Sequence, residues 1–336
     1  MTKNTGTGTL TLSNANTYTG NTTISTGIVA ISNNTSLGDD GTTRGSTTVA
    51  SGAELAISGD LSGVTEPISV SGLGLTSSPN GAIRNASGAN KVTGLVTLAA
   101  ATEIQSDAGT LTFDPSSGNA ITGTFNLTFD ANTGDVTVAD PIATSTGTVT
   151  KSGSGTLTLS GANTYSGITT VSAGTFTVSG SGVLGSGSPN NYTAGITNNA
   201  AFVYSSSADQ TLSGVISGSG TLTKNTGSGT LTLSNANTYT GNTTISAGVV
   251  AISNNTALGD NSGSRGKTTV ASGAALSVSG GLSGVTDPIE ITGDGVSSNG
   301  AIRNTGGTNT ISGAVTLLAS VSEVSRRSWF MSQDLV

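Results

Sequence analysis

The chain repeats itself. Residues 2 to 67 align with residues 223 to 288 at a constant offset of 221, and 52 of the 66 positions are identical. After a two-residue deletion the match resumes at Gly81-Ala82-Ile83-Arg84-Asn85, which returns as Gly300-Ala301-Ile302-Arg303-Asn304. Duplication on this scale points to a modular architecture, in which each unit is stabilised by its neighbours. A shorter unit recurs inside it: Gly-Thr-Leu-Thr-Leu-Ser begins at Gly8, Gly155 and Gly229 and runs on through x-Ala-Asn-Thr-Tyr-x-Gly to Tyr18, Tyr165 and Tyr239. The starts lie 147 and 74 residues apart, close to two lengths and one length of a common period. Dividing 74 by three gives about 25 residues per turn and about 13 or 14 turns for the chain, within the range of solenoid repeats.

Within a unit the period is two. In Thr9-Leu10-Thr11-Leu12 the leucines share one side of a strand and the threonines the other, the pattern of a half-buried strand. The same alternation points Val29 and Ile31, Leu55 and Ile57, Ile68 and Val70, Leu111 and Phe113, Leu127 and Phe129, Val136 and Val138, and Phe176 and Val178 inward. No stretch sustains a 3.6-residue period, so almost no helix is expected. Runs of strand residues end at Ser-Gly, Asn-Thr-Gly, Gly-Asp or Asn-Asn, residues that favour turns and accept positive φ. A single rung recurring along the chain suits parallel stacking, about 4.8 Å between strands, better than a series of antiparallel sandwiches. The fold class is therefore all-β, a parallel β-helix, or β-solenoid.

Composition narrows the chemistry. There are 50 Gly, no Cys and no His, charged residues make up 9% and aromatics 4%. That inventory removes thiol nucleophiles, imidazole bases and Cys- or His-ligated metals. The 11 Lys and Arg are scattered, apart from Arg326-Arg327, so no basic stripe follows a phosphate backbone and no nucleic-acid partner is expected. No long apolar run supplies a transmembrane helix, and direct membrane insertion by this segment is not expected. The first residues lack the charged and apolar regions of a secretory signal.

The units resemble the autotransporter-associated β-strand repeat, also called the passenger-associated transport repeat. The resemblance rests on Gly155-Thr156-Leu157-Thr158-Leu159-Ser160-Gly161-Ala162-Asn163-Thr164-Tyr165-Ser166-Gly167 followed by Thr169-Thr170-Val171-Ser172-Ala173-Gly174-Thr175, and on the copies from Gly8 and Gly229, where Asn14 and Asn235 replace Gly161. It implies a right-handed parallel β-helix passenger of a type V secretion system, extracellular or held at the bacterial cell surface by a C-terminal β-barrel in the outer membrane. Strand patterns of such a barrel are absent from this chain, and both ends break off inside repeats, so a passenger fragment is expected.

Residues 1–324 are read as one repeat solenoid: 2–104 and 223–324 are near-duplicate copies and 105–222 are intervening repeats. Residues 325–336 form a non-repeat tail that holds the only Trp, Trp329, and is read as a truncation or frame-change scar.

Candidate chemistry is sparse. Asp39-Asp40, Asp260, Asp287 and Asp294 stand beside Gly, Asn or Pro, where Asp makes a turn. Glu66-Pro67 and Asp287-Pro288 are expected near Arg44 and Arg265 as solvated pairs. Arg84 and Arg303 point outward, either solvated or holding an anion. Gly293-Asp294-Gly295 only partly matches a calcium repeat. Tyr18, Tyr165 and Tyr239 either stack on sugars or cover a corner, and Thr9-x-Thr11, Thr156-x-Thr158 and their relatives could form a hydroxyl ladder. No catalytic, metal or cofactor residue is assigned, and no cofactor is expected. The reading is a non-enzymatic, adhesin-like scaffold or spacer; a carbohydrate-active β-helix enzyme and an ice-binding solenoid are the alternatives. A surface glycan or protein ligand stays open, as does self-association through uncapped ends.

Overall fold

The computed structural model describes residues 1–39, 41, 44–75, 80–185, 187–260 and 265–318. The non-repeat tail and Asp40 lie outside them. The chain divides into two compact units, Met1–Phe176 and Thr177–Val336. The fold is a parallel β-solenoid of about 14 turns with about 22 residues per turn and essentially no helix; among the described residues the one helical element is the 3₁₀ turn Val296–Ser298.

In the first unit each turn lays down strands on up to three faces. One face stacks Thr2–Lys3, Thr22–Ile24, Thr47–Val49 and Ile68–Gly72. The next stacks Thr9–Leu12, Gly27–Ile31, Ala53–Ile57 and Ile83–Asn85. The third holds Ala89–Val92, Thr110–Phe113, Asp135–Val138 and Thr156–Leu159. The long strand Val96–Ser106 rounds a corner: Val96 to Leu98 extend the first face onto Ile68–Gly72, and Ile104 to Ser106 extend the second onto Ile83–Asn85. In the second unit, Thr221–Lys224, Thr243–Ile245, Thr268–Val270 and Ile289–Ile291 make one such stack. Thr230–Leu233, Gly248–Ile252, Ala274–Val278 and Ile302–Asn304 make another.

The expected turn of about 25 residues is longer than the one found, for a geometric reason. From Thr9–Leu12 the second face climbs six pairing steps to Val149–Ser152, and Thr156–Leu159, the matching strand of the next repeat, lies on the third face just beyond. The 147 residues between the two motifs thus cover six and one third turns, about 23 residues each. A sequence repeat need not be a whole number of turns, because every face demands the same in-out alternation.

That alternation fills the channel as read. Val29, Leu55, Ile57, Val70, Leu111, Leu127, Phe129, Val136, Val138, Phe176 and Val178 are fully buried, and each contributes about 1.5 to 3 kcal/mol. Leu10 departs from the pattern: it is 37% exposed, whereas its repeat equivalents Leu157 and Leu231 are fully buried. Among the described residues its strand pairs on one side only, with Gly27–Ile31.

The turns also differ from expectation. Positive φ falls on glycines at most corners, and Asn190 is the only asparagine to adopt it among the described residues. The motif asparagines turn inward instead. Asn237 Oδ1 accepts from the Ile216 N–H at 2.8 Å and its Nδ2 donates to the Ala257 carbonyl at 2.7 Å. Asn163 accepts from the Ile142 N–H at 3.0 Å. These amides bridge successive turns where the backbone leaves the ladder.

Candidate functional site

Two lysines lie inside the solenoid just ahead of a Gly-Thr-Leu-Thr-Leu motif. Strict alternation carries a lysine inward one position after a run of apolar residues: Val149 is followed at the second position by Lys151, and Leu222 by Lys224. Both lysines are fully buried. Lys151 Nζ donates to the carbonyls of Ser152 at 2.6 Å, Gly153 at 2.7 Å and, on the following turn, Ala173 at 3.2 Å. Lys224 Nζ donates to Asn225 at 3.2 Å, Thr226 at 3.3 Å and Gly227 at 2.9 Å, and lies 5.8 Å from the centroid of the Tyr204 ring. Half-buried Lys3 repeats the arrangement on the carbonyls of Thr5 and Gly6. Burial pulls the Lys151 ammonium down to about 8 against the opposing charges of Asp130 and Asp135, which leaves it a cation at neutral pH.

A glycine of the next turn completes each corner. Gly174, at φ 65°, would place a Cβ 2.3 Å from the Gly155 carbonyl oxygen and 2.8 Å from Lys151 Nζ; Gly27 and Gly248 face Lys3 and Lys224 in the same way. This lysine corner was legible in the alternation but is not what a Gly-rich string suggests at first reading.

The motif tyrosines cover corners. Tyr165 and Tyr239 are buried and share hydrogen bonds with Thr169 at 2.9 Å and Thr243 at 2.6 Å, as half-buried Tyr18 does with Thr22 at 2.7 Å. The rings of Tyr165 and Tyr239 are closed to a sugar. The threonine pairs stack in part: Thr9 and Thr11 abut Ile28 and Ala30, whereas Thr158 continues a column with Thr137 and Thr112 on the third face, and Thr223 one with Thr244 and Thr269. A further hydroxyl column runs up the first face, one residue per turn: Thr2, Thr23, Thr48, Ser69, Thr97 and Thr122.

The carboxylates divide. Asp39 makes the expected turn, its Oδ1 accepting from the Gly41 N–H at 3.2 Å. Glu66 and Asp287 do not form solvated pairs: they are 4% and 7% exposed, although the charges of Arg44 and Arg265 reach them. The structure turns both toward an inward threonine. Glu66 Oε1 accepts from Thr47 Oγ1 at 3.0 Å. Asp287, one methylene shorter, feels the hydroxyl and backbone N–H of Thr268, yet neither Asp287 Oδ2 nor Thr268 Oγ1 completes a hydrogen bond. Burial pushes Asp287 up to about 6, with Thr268 and Arg265 opposing.

Arg84 is likewise not left to solvent. Its Nη1 lies 3.3 Å from Glu54 Oε1, and its Nε donates to Asp107 Oδ2 at 2.6 Å, so the three side chains span successive turns. Burial raises Glu54 against the pull of Arg84. Lys267 and Glu290, 2.7 Å apart, bridge turns in the second copy where the first has Ser46 and Ser69; both partners changed together. Among the described residues no three acidic side chains gather as metal ligands. Gly293-Asp294-Gly295 forms a turn in which the Asp294 carbonyl accepts from the Gly300 N–H at 2.8 Å.

The fold and its corners define a repeat solenoid whose charged side chains are largely spent between turns. The family comparison sharpens that class: residues 4–31, 149–178 and 226–252 match the passenger-associated-transport-repeat. These segments contain all three lysine-side glycines and all three tyrosine corners. The chain therefore carries three repeats of the kind found in secreted or surface-exposed autotransporter passengers. No curated protein and no solved structure matches the chain.

Proposed function

We propose that this chain is a non-catalytic scaffold of a bacterial surface protein, a stack of passenger repeats that spaces or presents other parts of that protein, with adhesion through its outer faces. The observation that carries the reading is how its charges are used. Arg84, Glu54 and Asp107 are tied to one another, and Lys151 and Lys224 to backbone carbonyls. A carbohydrate-active site needs two carboxyl groups free to face one bond, and Glu54 and Asp107 would have to be released from Arg84 first. In its parent protein the segment is expected to be exported and anchored through a C-terminal barrel.

The test is to express the parent protein with and without whole turns of this segment. Surface display should persist while the reach of the presented part shortens, and incubation with a panel of polysaccharides should release no new reducing ends or unsaturated products. Glycan cleavage that disappears on Glu54→Gln or Asp107→Asn substitution would overturn the scaffold reading in favour of the enzyme.

A further inference from the structure

The duplication supplies an internal comparison at one cation. Arg84 and Arg303 occupy the same place in the Gly-Ala-Ile-Arg-Asn step of the two copies. They also hold the same register, Arg84 opposite Ala56 and Arg303 opposite Ser277. In the first copy the Nε and Nη2 edge of Arg84 is filled by Asp107, while Nη1 faces Glu54. In the second copy the position of Glu54 is Ala275. Among the described residues Arg303 Nε and Nη2, both buried, have no partner; they form the same edge that Asp107 occupies on Arg84. A guanidinium cannot shed its proton to relieve this. Unmet donors on a charged group away from water are unfavourable, and a carboxylate presents two oxygens at the spacing of that edge.

We propose that Arg303 is a carboxylate-binding site, in which an external carboxylate takes the place that the Asp107 side chain takes on Arg84. The ligand class is set by the stand-in: a planar, singly charged carboxylate lying against Nε and Nη2, as a small organic acid or an acidic sugar would provide. Ala275 leaves the Nη1 side without the anion that Glu54 supplies on Arg84.

Acetate is the probe. In the full chain labelled with ¹⁵N, the Arg303 Nε–Hε resonance should shift saturably as acetate is added at constant ionic strength, whereas that of Arg84 should stay still. Arg303→Gln should abolish the saturable response, and Asp107→Ala should convert Arg84 into a second responding site. Equal titration with chloride reports general screening and should move neither resonance. An Arg303 signal that does not respond to acetate overturns the proposal. So does one already shifted and protected from exchange before any anion is added, since a protein group would then fill the edge.

Discussion

Asp287 offers the sharpest test of how this solenoid tolerates buried charge. The carboxyl is 7% exposed and takes up its proton at about 6 instead of 3.8, because burial disfavours the anion more than Thr268 and Arg265 favour it. A difference of that size between folded and unfolded chain corresponds to about 3 kcal/mol. Its sign follows from proton counting. Between the two values the folded chain holds a proton that the unfolded chain has released, so stability falls as pH rises through that window. Below it both states are protonated, the penalty is absent and stability is greatest; above about 6 the full penalty applies. Replacing the carboxyl by an amide removes the titration. Asp287→Asn is therefore expected to be more stable than the parent at pH 7 by up to about 3 kcal/mol and nearly equal to it at pH 4.

Long repeat arrays unfold in parts, so the measurement is local: amide exchange of Thr268–Val270 and Ile289–Ile291 against pH, with denaturant unfolding of both proteins in parallel. Asp287→Glu is the companion variant, because Glu66 shows that one more methylene reaches the threonine hydroxyl. It should retain protection at neutral pH better than the parent. If parent and Asp287→Asn show the same pH slope between pH 4 and 7, the carboxyl is not paying for its burial and the reasoning fails.

Two further outcomes follow from the lysine corner. Lys151→Met removes the donor from three carbonyls; with about 1 to 3 kcal/mol for each orphaned group, partly offset by relief of the buried charge, a loss of about 3 kcal/mol is expected, read as accelerated exchange at Ser152–Gly155 and Ala173–Thr175. Gly174→Ala should destabilise the same turn by at least about 2 kcal/mol, since the new methyl meets two carbonyl oxygens within 2.5 Å at a backbone angle that favours glycine. An alanine variant with parental stability would mean that the corner is looser than these distances state.

Alternation, duplication and the Gly-Thr-Leu-Thr-Leu motif by themselves determined the solenoid, its inward apolar rows and its kinship with passenger repeats, because parallel stacking imposes a period of two that is visible residue by residue. The same alternation carries a signal for Lys151 and Lys224 that the sequence reading did not use, and what satisfies them inside, backbone carbonyls, one of Lys151's lying on the next turn, is visible only in the structure. Turn length escaped the sequence as well: a repeat spacing counts residues, and only the ladders disclosed that successive motifs land on different faces. For the same reason Thr9 and Thr11 met Ile28 and Ala30 while Thr158 and Thr223 met other threonines, and Asp287 and Glu66 went inside. Which residues on neighbouring turns meet depends on loops of unequal length between them, from a 19-residue step at Thr9 and Ile28 to a 28-residue step at Leu55 and Ile83, and tertiary structure alone fixes that register.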